Sequence, residues 1–362
     1  MKFSTDKNKL LEAVTIASHL ATVRSTLPIL QNLFLETRKD QLLVKSTDLD
    51  QTLEILIDGE VGEEGALTVP ARLIVEYLNN NPDSGITIAS DDLNLSIQSS
   101  NHQAKIKGLA AEEYPTQPNL KTQVSTNLPL ADLRLAITKT IFASAQDETR
   151  PILNSLLWRF KAKELTLVGT DGYRLAYQTI ETTAAIEGDY ILPKRVLQEL
   201  IKLPGEGEVA VAFAGNQVRF SFGAITLTSR LLDGAFPAYE AIIPRKREVE
   251  VVVATAQLVK SLKLASLFSR DSAFSTKLAL EGETMTITAV SPQIGENSNQ
   301  LKLSSIISSP LTVSLNAHYL IEGLNALEGE AKLGFIDAKS PIVVEAIKDK
   351  NYLYLLMPLR SE

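Results

Sequence analysis

Several residue types that carry chemistry are missing or rare in this 362-residue chain. It has no cysteine, which excludes disulfides and thiolate metal ligands, and its three histidines, His19, His102 and His318, are too scattered to suggest a metal site. No apolar run is long enough for a signal peptide or a membrane span, so we expect a soluble, cytoplasmic protein. Walker, Gly-x-Ser-x-Gly and Gly-x-Gly-x-x-Gly motifs are also missing, and we therefore expect no cofactor and no catalytic residue.

What the chain does contain is a threefold internal repeat with a step of 123 residues. Thr47-Asp48 recurs as Thr170-Asp171, and Leu27–Leu30 recurs in similar form as Arg150–Leu153. Three apolar segments start alike at the same step, after Val69-Pro70-Ala71-Arg72, Leu192-Pro193-Lys194-Arg195 and Leu315-Asn316-Ala317-His318. Because solenoid units are only about 20–50 residues long, each copy here is a whole domain. We predict domains at residues 1–122, 123–247 and 248–362.

Each copy is predicted to run helix, strands, helix, strands. Apolar residues at three- and four-residue steps predict first helices over Thr5–Leu20, Leu130–Ser144 and Gln257–Phe268, with Asp6 and Thr255 as N-caps. The second helices follow Pro70, Pro193 and Asn316, since proline suits a first helical turn. Alternation around Leu165 and Leu167 predicts a strand, and Asp171-Gly172 predicts the turn after it. The order lacks short βαβ units, so the fold class is α+β with antiparallel sheets.

Charge is distributed unevenly between the helices and the remainder. The six segments that contain the predicted helices, residues 5–24, 70–81, 130–144, 193–203, 257–270 and 316–327, carry twelve basic and six acidic residues, a net charge of +6, in a chain whose net charge is −7. The remainder therefore carries −13. If the helices share one surface, that surface attracts phosphates while the rest repels them. The alternative is that amphipathic helices carry lysine on their solvent faces without binding phosphates.

The order and spacing of several further motifs give the chain a family resemblance. It resembles the bacterial sliding clamp, the beta subunit of the replicative DNA polymerase, along its whole length. The resemblance rests on the opening Met1-Lys2-Phe3, Arg24–Leu30 with Asn32, Thr47–Leu49, Val69–Arg72, Thr170–Leu175, Leu231–Tyr239, Leu324–Leu327 and Met357–Arg360.

The resemblance implies a ring of two subunits joined head to tail, a pseudo-sixfold annulus of six domains with helices around the hole. Such a ring encircles double-stranded DNA without sequence preference and tethers the replicative polymerase and other DNA polymerases. It needs an ATP-dependent clamp loader, because a closed ring must be opened to admit a circular template and the chain has no nucleotide site of its own. A triplicated α+β enzyme or scaffold with an active site in an inter-domain cleft remains the alternative. Asp48 and Asp171 could be imagined as its paired acids, although a repeated turn explains them more simply.

The resemblance also implies a hydrophobic pocket for partner peptides. Its residues here are Leu153, Thr170, Gly172, Tyr173, Arg174, Leu175, Pro237, Ile242, Pro341, Met357, Pro358, Leu359 and Arg360. Taken alone, Thr170–Leu175 would be an ordinary strand-turn and Met357–Arg360 a frayed end. Many members of the family carry arginine where this chain has Ala241, so one wall of the pocket is expected to be less polar.

Contacts with DNA and with a second subunit are implied in the same way. Arg24, Arg72, Gln146, Asp147 and either Lys194 or Arg195 are expected near duplex DNA, although each lone cation could equally be a solvated charge. Pro151 and Ile152 stand where the family often has aromatic residues, which makes stacking on single strands doubtful. Leu267 and Phe268 are expected to contact Ile106, Lys105 and Lys107 of a second subunit. The alternative is burial of Leu267 and Phe268 within the third domain.

Overall fold

The computed structural model describes residues 1–21, 27–115, 123–182 and 186–359. Its six helices are α1 (Lys7–Ala17), α2 (Ala71–Asn80), α3 (Leu130–Ile141), α4 (Lys194–Lys202), α5 (Thr255–Ser266) and α6 (Ala317–Asn325). The repeat is visible in their starts, since α2, α4 and α6 begin 123 residues apart. Within the described residues, no helix is both long and apolar enough to cross a membrane.

The strands follow the same three copies. The first copy has β1 (Lys2–Asp6), β2 (Asn32–Arg38), β3 (Gln41–Thr47), β4 (Gln51–Asp58), β5 (Glu60–Glu63), β6 (Gly65–Pro70), β7 (Gly85–Asp91), β8 (Asn94–Gln98) and β9 (Gln103–Lys107). The second has β10 (Val124–Pro129), β11 (Ser155–Lys161), β12 (Glu164–Thr170), β13 (Arg174–Glu181), β14 (Gly188–Pro193), β15 (Glu208–Ala214), β16 (Gln217–Phe222) and β17 (Ile225–Arg230). The third has β18 (Val249–Ala254), β19 (Ser275–Ser291), β20 (Gly295–Asn316), β21 (Glu330–Phe335), β22 (Ile342–Ala346) and β23 (Tyr352–Leu356).

The chain divides into two compact units, Met1–Ala131 with Lys202–Leu231, and Asp132–Ile201 with Leu232–Glu362. The first unit contains a five-stranded sheet in the order β5-β1-β7-β8-β9 and an eight-stranded sheet in the order β10-β15-β16-β17-β4-β3-β2-β6. The second contains an eight-stranded sheet in the order β14-β11-β12-β13-β23-β22-β21-β18 and the long β19–β20 hairpin. The described ladders are antiparallel throughout, as predicted.

The sequence misplaces some element ends. Lys2–Asp6 is a strand that pairs with β5 and β7, so α1 begins two residues later than predicted. Asp6 caps it as predicted, with its carboxylate accepting from Asn8 N at 2.8 Å. Thr255 is the first residue of α5 rather than its N-cap, which is Ala254. Pro70 and Pro193 end strands immediately before their helices.

The large sheet of the second unit is covered on both faces. On one face, α5 and α6 pack through Leu258, Leu262, Leu320 and Leu324 into a core that also holds Tyr352 and Tyr354. On the other, Leu353 and Leu355 of β23 belong to a second cluster that includes Leu157, Val168, Leu175 and Tyr239. Alternate residues of β23 thus point into different cores, which is why the strand reads as an unbroken apolar run.

Candidate ligand-binding pocket

A cavity of about 190 Å³ opens in the second unit at the ends of β12, β13 and β23. Ten of the thirteen residues predicted for the pocket line it: Leu153, Thr170, Gly172, Tyr173, Arg174, Leu175, Pro237, Ile242, Pro341 and Met357. Ala238, Tyr239 and Leu355 complete the lining. The wall is therefore mainly apolar, with a few polar groups from one turn, as is usual for a ligand site.

The turn between β12 and β13 forms one side of this cavity. Thr170 Oγ1 donates to the carbonyl of Arg174 at 2.6 Å and accepts from Gly172 N at 3.1 Å. Asp171 Oδ1 accepts from the backbone N–H groups of Tyr173 and Arg174 at 2.9 and 3.0 Å. Gly172 has φ 92°, which glycine adopts without a steric penalty. The segment is thus both an ordinary Asp-Gly turn and a wall of the cavity, and Tyr173 in it is 63% exposed.

Arg174 holds the turn to the neighbouring helices. The residue is 6% exposed, and its guanidinium donates to Asp171 Oδ2 at 3.0 Å, to the Phe142 carbonyl at 2.9 Å and to Glu322. It lies 4.2 Å from the centroid of the Tyr319 ring. Burial acts to lower the pKa of Arg174, but Tyr354, Glu322 and Asp171 outweigh it and raise the pKa above its ordinary value. Arg174 therefore stays charged, and its main role is to fix the turn.

Residues 357–359 are hydrogen-bonded along this site rather than frayed. Met357 N donates to the Tyr173 carbonyl at 2.9 Å, and Leu359 N donates to the Ser314 carbonyl at 2.8 Å. The Met357 side chain is 38% exposed at the cavity. Pro358 and Leu359 are half-buried beyond the cavity lining, and Arg360 lies outside the described residues.

Sequence reasoning missed Ala238, Tyr239 and Leu355, and a signal existed for Leu355. In the run Tyr352–Leu356, odd-numbered positions share a face with Leu175 on the paired strand β13, so Leu355 could have been placed beside it. Tyr239 lies in a loop without periodic pattern, and only its packing against Leu175 and Leu355 shows its place.

A larger crevice of about 580 Å³ lies between α3 and α6 in the same unit. Charged side chains line much of it, and two of them, Lys139 and Asp349, form an ion pair at 2.7 Å. The smaller cavity is the better candidate because apolar walls and the polar groups of one turn converge there. Across the described residues, three or more His, Asp or Glu side chains nowhere gather in a way that could hold a metal ion.

The residues expected near DNA fall into different environments. Arg72 is exposed and its Nε lies 2.7 Å from Glu76 Oε1, one helical turn away. Gln146, Asp147 and Arg195 are exposed too. Asp147 accepts hydrogen bonds from the Thr149 hydroxyl and N–H, which hold the pKa of its carboxyl below the ordinary value. Arg24 lies outside the described residues.

Lys194 does not belong in that set. It is 6% exposed, and its Nζ donates to the carbonyls of Ser144 and Ala145 at 3.3 and 3.4 Å. Burial, together with repulsion from Arg174, lowers the pKa of Lys194. An ammonium enclosed in this way cannot reach a phosphate, so Arg195 is the cation that remains at this position. The repeat held the signal, because Lys194 stands where the other copies have the buried residues Ala71 and Ala317.

The residues expected at a subunit interface also differ in how exposed they are. Leu267 is 46% exposed, whereas Phe268 packs against the core of the third copy. Ile106 is only 4% exposed and is covered by its own chain. The alternative of burial therefore holds for Phe268, and the expected contact through Ile106 is not supported. Lys105 and Lys107, its neighbours on β9, are both exposed, and their side chains point away from Ile106.

Comparison with known proteins matches the three copies to three successive domains of one protein. Residues 1–118 match the N-terminal domain of the DNA polymerase III beta subunit, residues 127–238 its central domain and residues 240–360 its C-terminal domain. The chain belongs to the DNA polymerase III beta subunit family. The predicted family is thus confirmed.

Individual members of the family match over their whole length. The beta sliding clamp of Bacillus subtilis (strain 168) is 28% identical over 377 residues, covering 100% of both chains. Among solved structures, the DNA polymerase III subunit beta of Pseudomonas aeruginosa has a TM-score of 0.96 at 26% identity, with 100% of each chain covered. A structure of the Pseudomonas aeruginosa clamp bound to griselimycin also has a TM-score of 0.96, at 26% identity and the same coverage. The chain therefore has the three-domain α+β fold of the sliding clamps, as the sequence predicts.

Proposed function

We propose that this protein is a DNA polymerase processivity factor. Two copies join head to tail, close a ring around duplex DNA and tether the polymerase to its template. One observation carries the proposal: three beta subunit domains follow one another over nearly the whole chain, and the fold superposes end to end on beta sliding clamps. The protein itself is non-catalytic and acts in the bacterial cytoplasm after an ATP-dependent loader has opened the ring.

Encirclement explains the charge of the chain. A ring cannot leave DNA sideways, so it needs only weak, salt-sensitive phosphate contacts, and strong ones would slow its sliding. A net charge of −7, with an excess of basic residues on the helices, suits this task better than a uniformly basic surface. Arg24, Arg72, Arg195, Gln146 and Asp147 are the proposed neighbours of DNA, and Leu267 is the proposed apolar contact between protomers.

The cavity beside the β12–β13 turn is the proposed docking site for partner peptides. Leu153, Leu175, Leu355 and Met357 give it an apolar floor that suits a Leu or Phe anchor, and a thioether adapts to anchors of different shape. Short peptides of the pattern Gln-x-x-Leu-Phe are the proposed ligands. Pro358, Leu359 and Arg360 extend the site along the peptide.

DNA of defined topology tests the ring. The protein is loaded onto nicked circular plasmid by a bacterial clamp loader with ATP, a known clamp serves as the loading control, and gel filtration follows before and after one cut. We expect retention on circles and loss from linear DNA. Equal retention on both forms would mean surface binding and would refute encirclement, as would failure to load while the control clamp loads.

Peptide titration tests the pocket. We expect a capped Gln-x-x-Leu-Phe peptide to bind the intact protein, and removal of residues 357–362 to abolish binding while the dimer persists in sedimentation. Met357→Ala should weaken binding, whereas Ile347→Ala, which changes an exposed apolar residue outside the cavity, should not. Unchanged affinity after the truncation would refute the pocket.

A further inference from the structure

One wall of the cavity belongs to a long loop rather than to a strand. The loop connects β17 to β18 and contains a 3₁₀ turn, Tyr239–Ile242, and the wall itself is formed by Pro237, Ala238, Tyr239 and Ile242. Backbone hydrogen bonds hold the two ends of the loop, from Leu232 N to the Ile191 carbonyl at 2.9 Å and from Glu248 N to the Phe335 carbonyl at 2.8 Å. The wall lies between these ends, and side chains attach it to the sheet.

Arg159 of β11 is the polar side chain that reaches the wall. Its partner across the ladder is Asp189 of β14, and the two form a bidentate pair, with Nε 2.8 Å from Oδ1 and Nη2 2.7 Å from Oδ2. A bidentate pair fixes the plane of the guanidinium, so the direction of the remaining Nη1 is fixed as well. The hydrogen bond from Arg159 is the largest influence on Asp189 and holds the pKa of its carboxyl below the ordinary value.

The remaining nitrogen of Arg159 is directed at the 3₁₀ turn. Nη1 donates to the Glu240 carboxylate and lies 3.4 Å from the Tyr239 hydroxyl oxygen. The guanidinium carbon is 5.3 Å from the centroid of the Tyr239 ring, a cation–π distance. The Tyr239 ring is 7% exposed and packs with Leu175 and Leu355, which line the cavity beside it. Arg159 thus contacts one side of Tyr239, and the other side of Tyr239 forms part of the wall of the cavity.

We infer that Arg159 positions the Tyr239–Ile242 wall and thereby sets how tightly the pocket holds a peptide. This inference rests on the proposed function of the pocket. Arg159 does not itself line the cavity, so it acts through Tyr239 and Glu240. Binding is tighter when the wall is already in place, because no conformational entropy is then lost in ordering the loop around the ligand. The side chains of Arg159, Asp189 and Glu240 are 29, 49 and 55% exposed, and exposed ion pairs add little to global stability. The effect is therefore local to the wall.

The test compares peptide affinity in four proteins: the unaltered chain, Arg159→Gln, Glu240→Gln and the double variant. The probe is a capped Gln-x-x-Leu-Phe peptide without charged residues, so that salt acts on the protein alone. We expect Arg159→Gln to weaken binding about three- to tenfold, the range that a local, partly exposed contact produces. Glu240→Gln should weaken binding less, and the double variant should match Arg159→Gln, because Glu240 without Arg159 has lost its partner in this contact. Arg159→Lys, which keeps the charge but not the bidentate geometry, should recover part of the affinity.

Arg247→Gln is the matched control. Arg247 lies at the end of the same loop, is comparably buried and is paired with Glu345 and Glu250, but it does not line the cavity. Salt gives a readout that a general loss of stability would not: added salt should weaken peptide binding to the unaltered protein and leave Arg159→Gln unaffected.

The outcomes separate the inference from the function on which it rests. If the unaltered protein binds the peptide and Arg159→Gln binds equally well, the positioning role is wrong and the pocket stands. An equal loss in Arg247→Gln, or additive losses in the double variant, would also overturn the positioning role. If the unaltered protein does not bind the peptide at all, the proposed pocket fails and the inference fails with it.

Discussion

Leu49 and Gly172 occupy the same position in two copies of one turn, 123 residues apart, and both have a positive φ, 82° and 92°. The hydrogen bonds around them are the same in both copies. In the first copy, Thr47 Oγ1 donates to the Gln51 carbonyl at 2.7 Å and accepts from Leu49 N at 3.1 Å. The carboxylate of Asp48 accepts from Asp50 N and Gln51 N, as that of Asp171 does in the second copy. The two copies thus share the backbone geometry of the turn, although the residue with the positive φ is leucine in one copy and glycine in the other.

Adding a glycine at the first position and removing the glycine at the second should change stability in opposite directions. Leu49→Gly should raise the free energy of unfolding by about 0.5 kcal/mol, because glycine removes the left-handed strain and returns only part of it as chain entropy. Gly172→Ala should lower the free energy of unfolding by about 1 kcal/mol. Urea denaturation of both variants measures this. Two changes of the same sign would contradict the strain argument.

Removing Arg174 should be costly because its partners are buried with it. Arg174→Met leaves Asp171 and the Phe142 carbonyl without the donor they share, and we expect a loss of about 3 kcal/mol in the free energy of unfolding. Peptide affinity should fall as well, since the turn lines the cavity. The exposed Arg195→Met is the control, with an expected change within about 0.5 kcal/mol. Equal effects of the two substitutions would show that the buried network contributes nothing.

The buried ammonium of Lys194 predicts a pH dependence at the alkaline end. Its pKa in the folded protein is lowered from 10.5, so between the lowered value and 10.5 the unfolded chain binds more protons than the folded one. Unfolding free energy contributed by this group therefore rises with pH across that window. We expect the free energy of unfolding of the unaltered protein, minus that of Lys194→Met, to increase as pH rises through the window. Denaturation curves at several pH values measure this difference. A difference that stays flat, or falls, would mean that the ammonium is better solvated than its surroundings indicate.

Arg72 offers the clearest test of a phosphate contact, since its side chain is exposed and its ion pair with Glu76 joins two residues of one helix. Arg72→Ala should leave thermal unfolding and peptide affinity unchanged. It should reduce the slope of log affinity for duplex DNA against log salt by about 0.9, the value for one released counterion. Fluorescence anisotropy over a salt series measures the slope. An unaltered slope would remove Arg72 from the proposed DNA contacts.

The repeat explains how much of the fold was predictable. The 123-residue step predicts the starts of the second helices closely. The ends of the first helix in each copy are found within a few residues of their predicted positions. Pairing between distant segments is harder, because a strand such as Lys2–Asp6 has little pattern of its own and exists through its partners β5 and β7. The β19–β20 hairpin, with strands of 17 and 22 residues, is longer than its alternating segment indicates.

The residues of the site could be predicted where they belong to a motif. They could not be predicted where a residue's burial determines whether it can contact a partner. The thirteen pocket residues came from resemblance, and ten of them meet at one cavity. The peptide role of these residues stays a prediction, as do the domain limits and the DNA contacts. Lys194 and Ile106 show why burial matters: both were expected to contact a partner, and the packing of their own chain encloses them. Arg159 lies outside every motif, and only its contacts with Tyr239 and Glu240 draw attention to it.

The middle copy supplies strands to both compact units: β10 and β15–β17 pair into the first, and β11–β14 into the second. The middle copy therefore shares its sheets with the copies before and after it. A fragment cut at the repeat boundaries, residues 123–247, would lose the ladders from β17 to β4 and from β13 to β23 and leave two bare strand edges. Dissection of this protein should follow the hydrogen-bonded sheets, and a shuffled or excised copy should aggregate rather than fold.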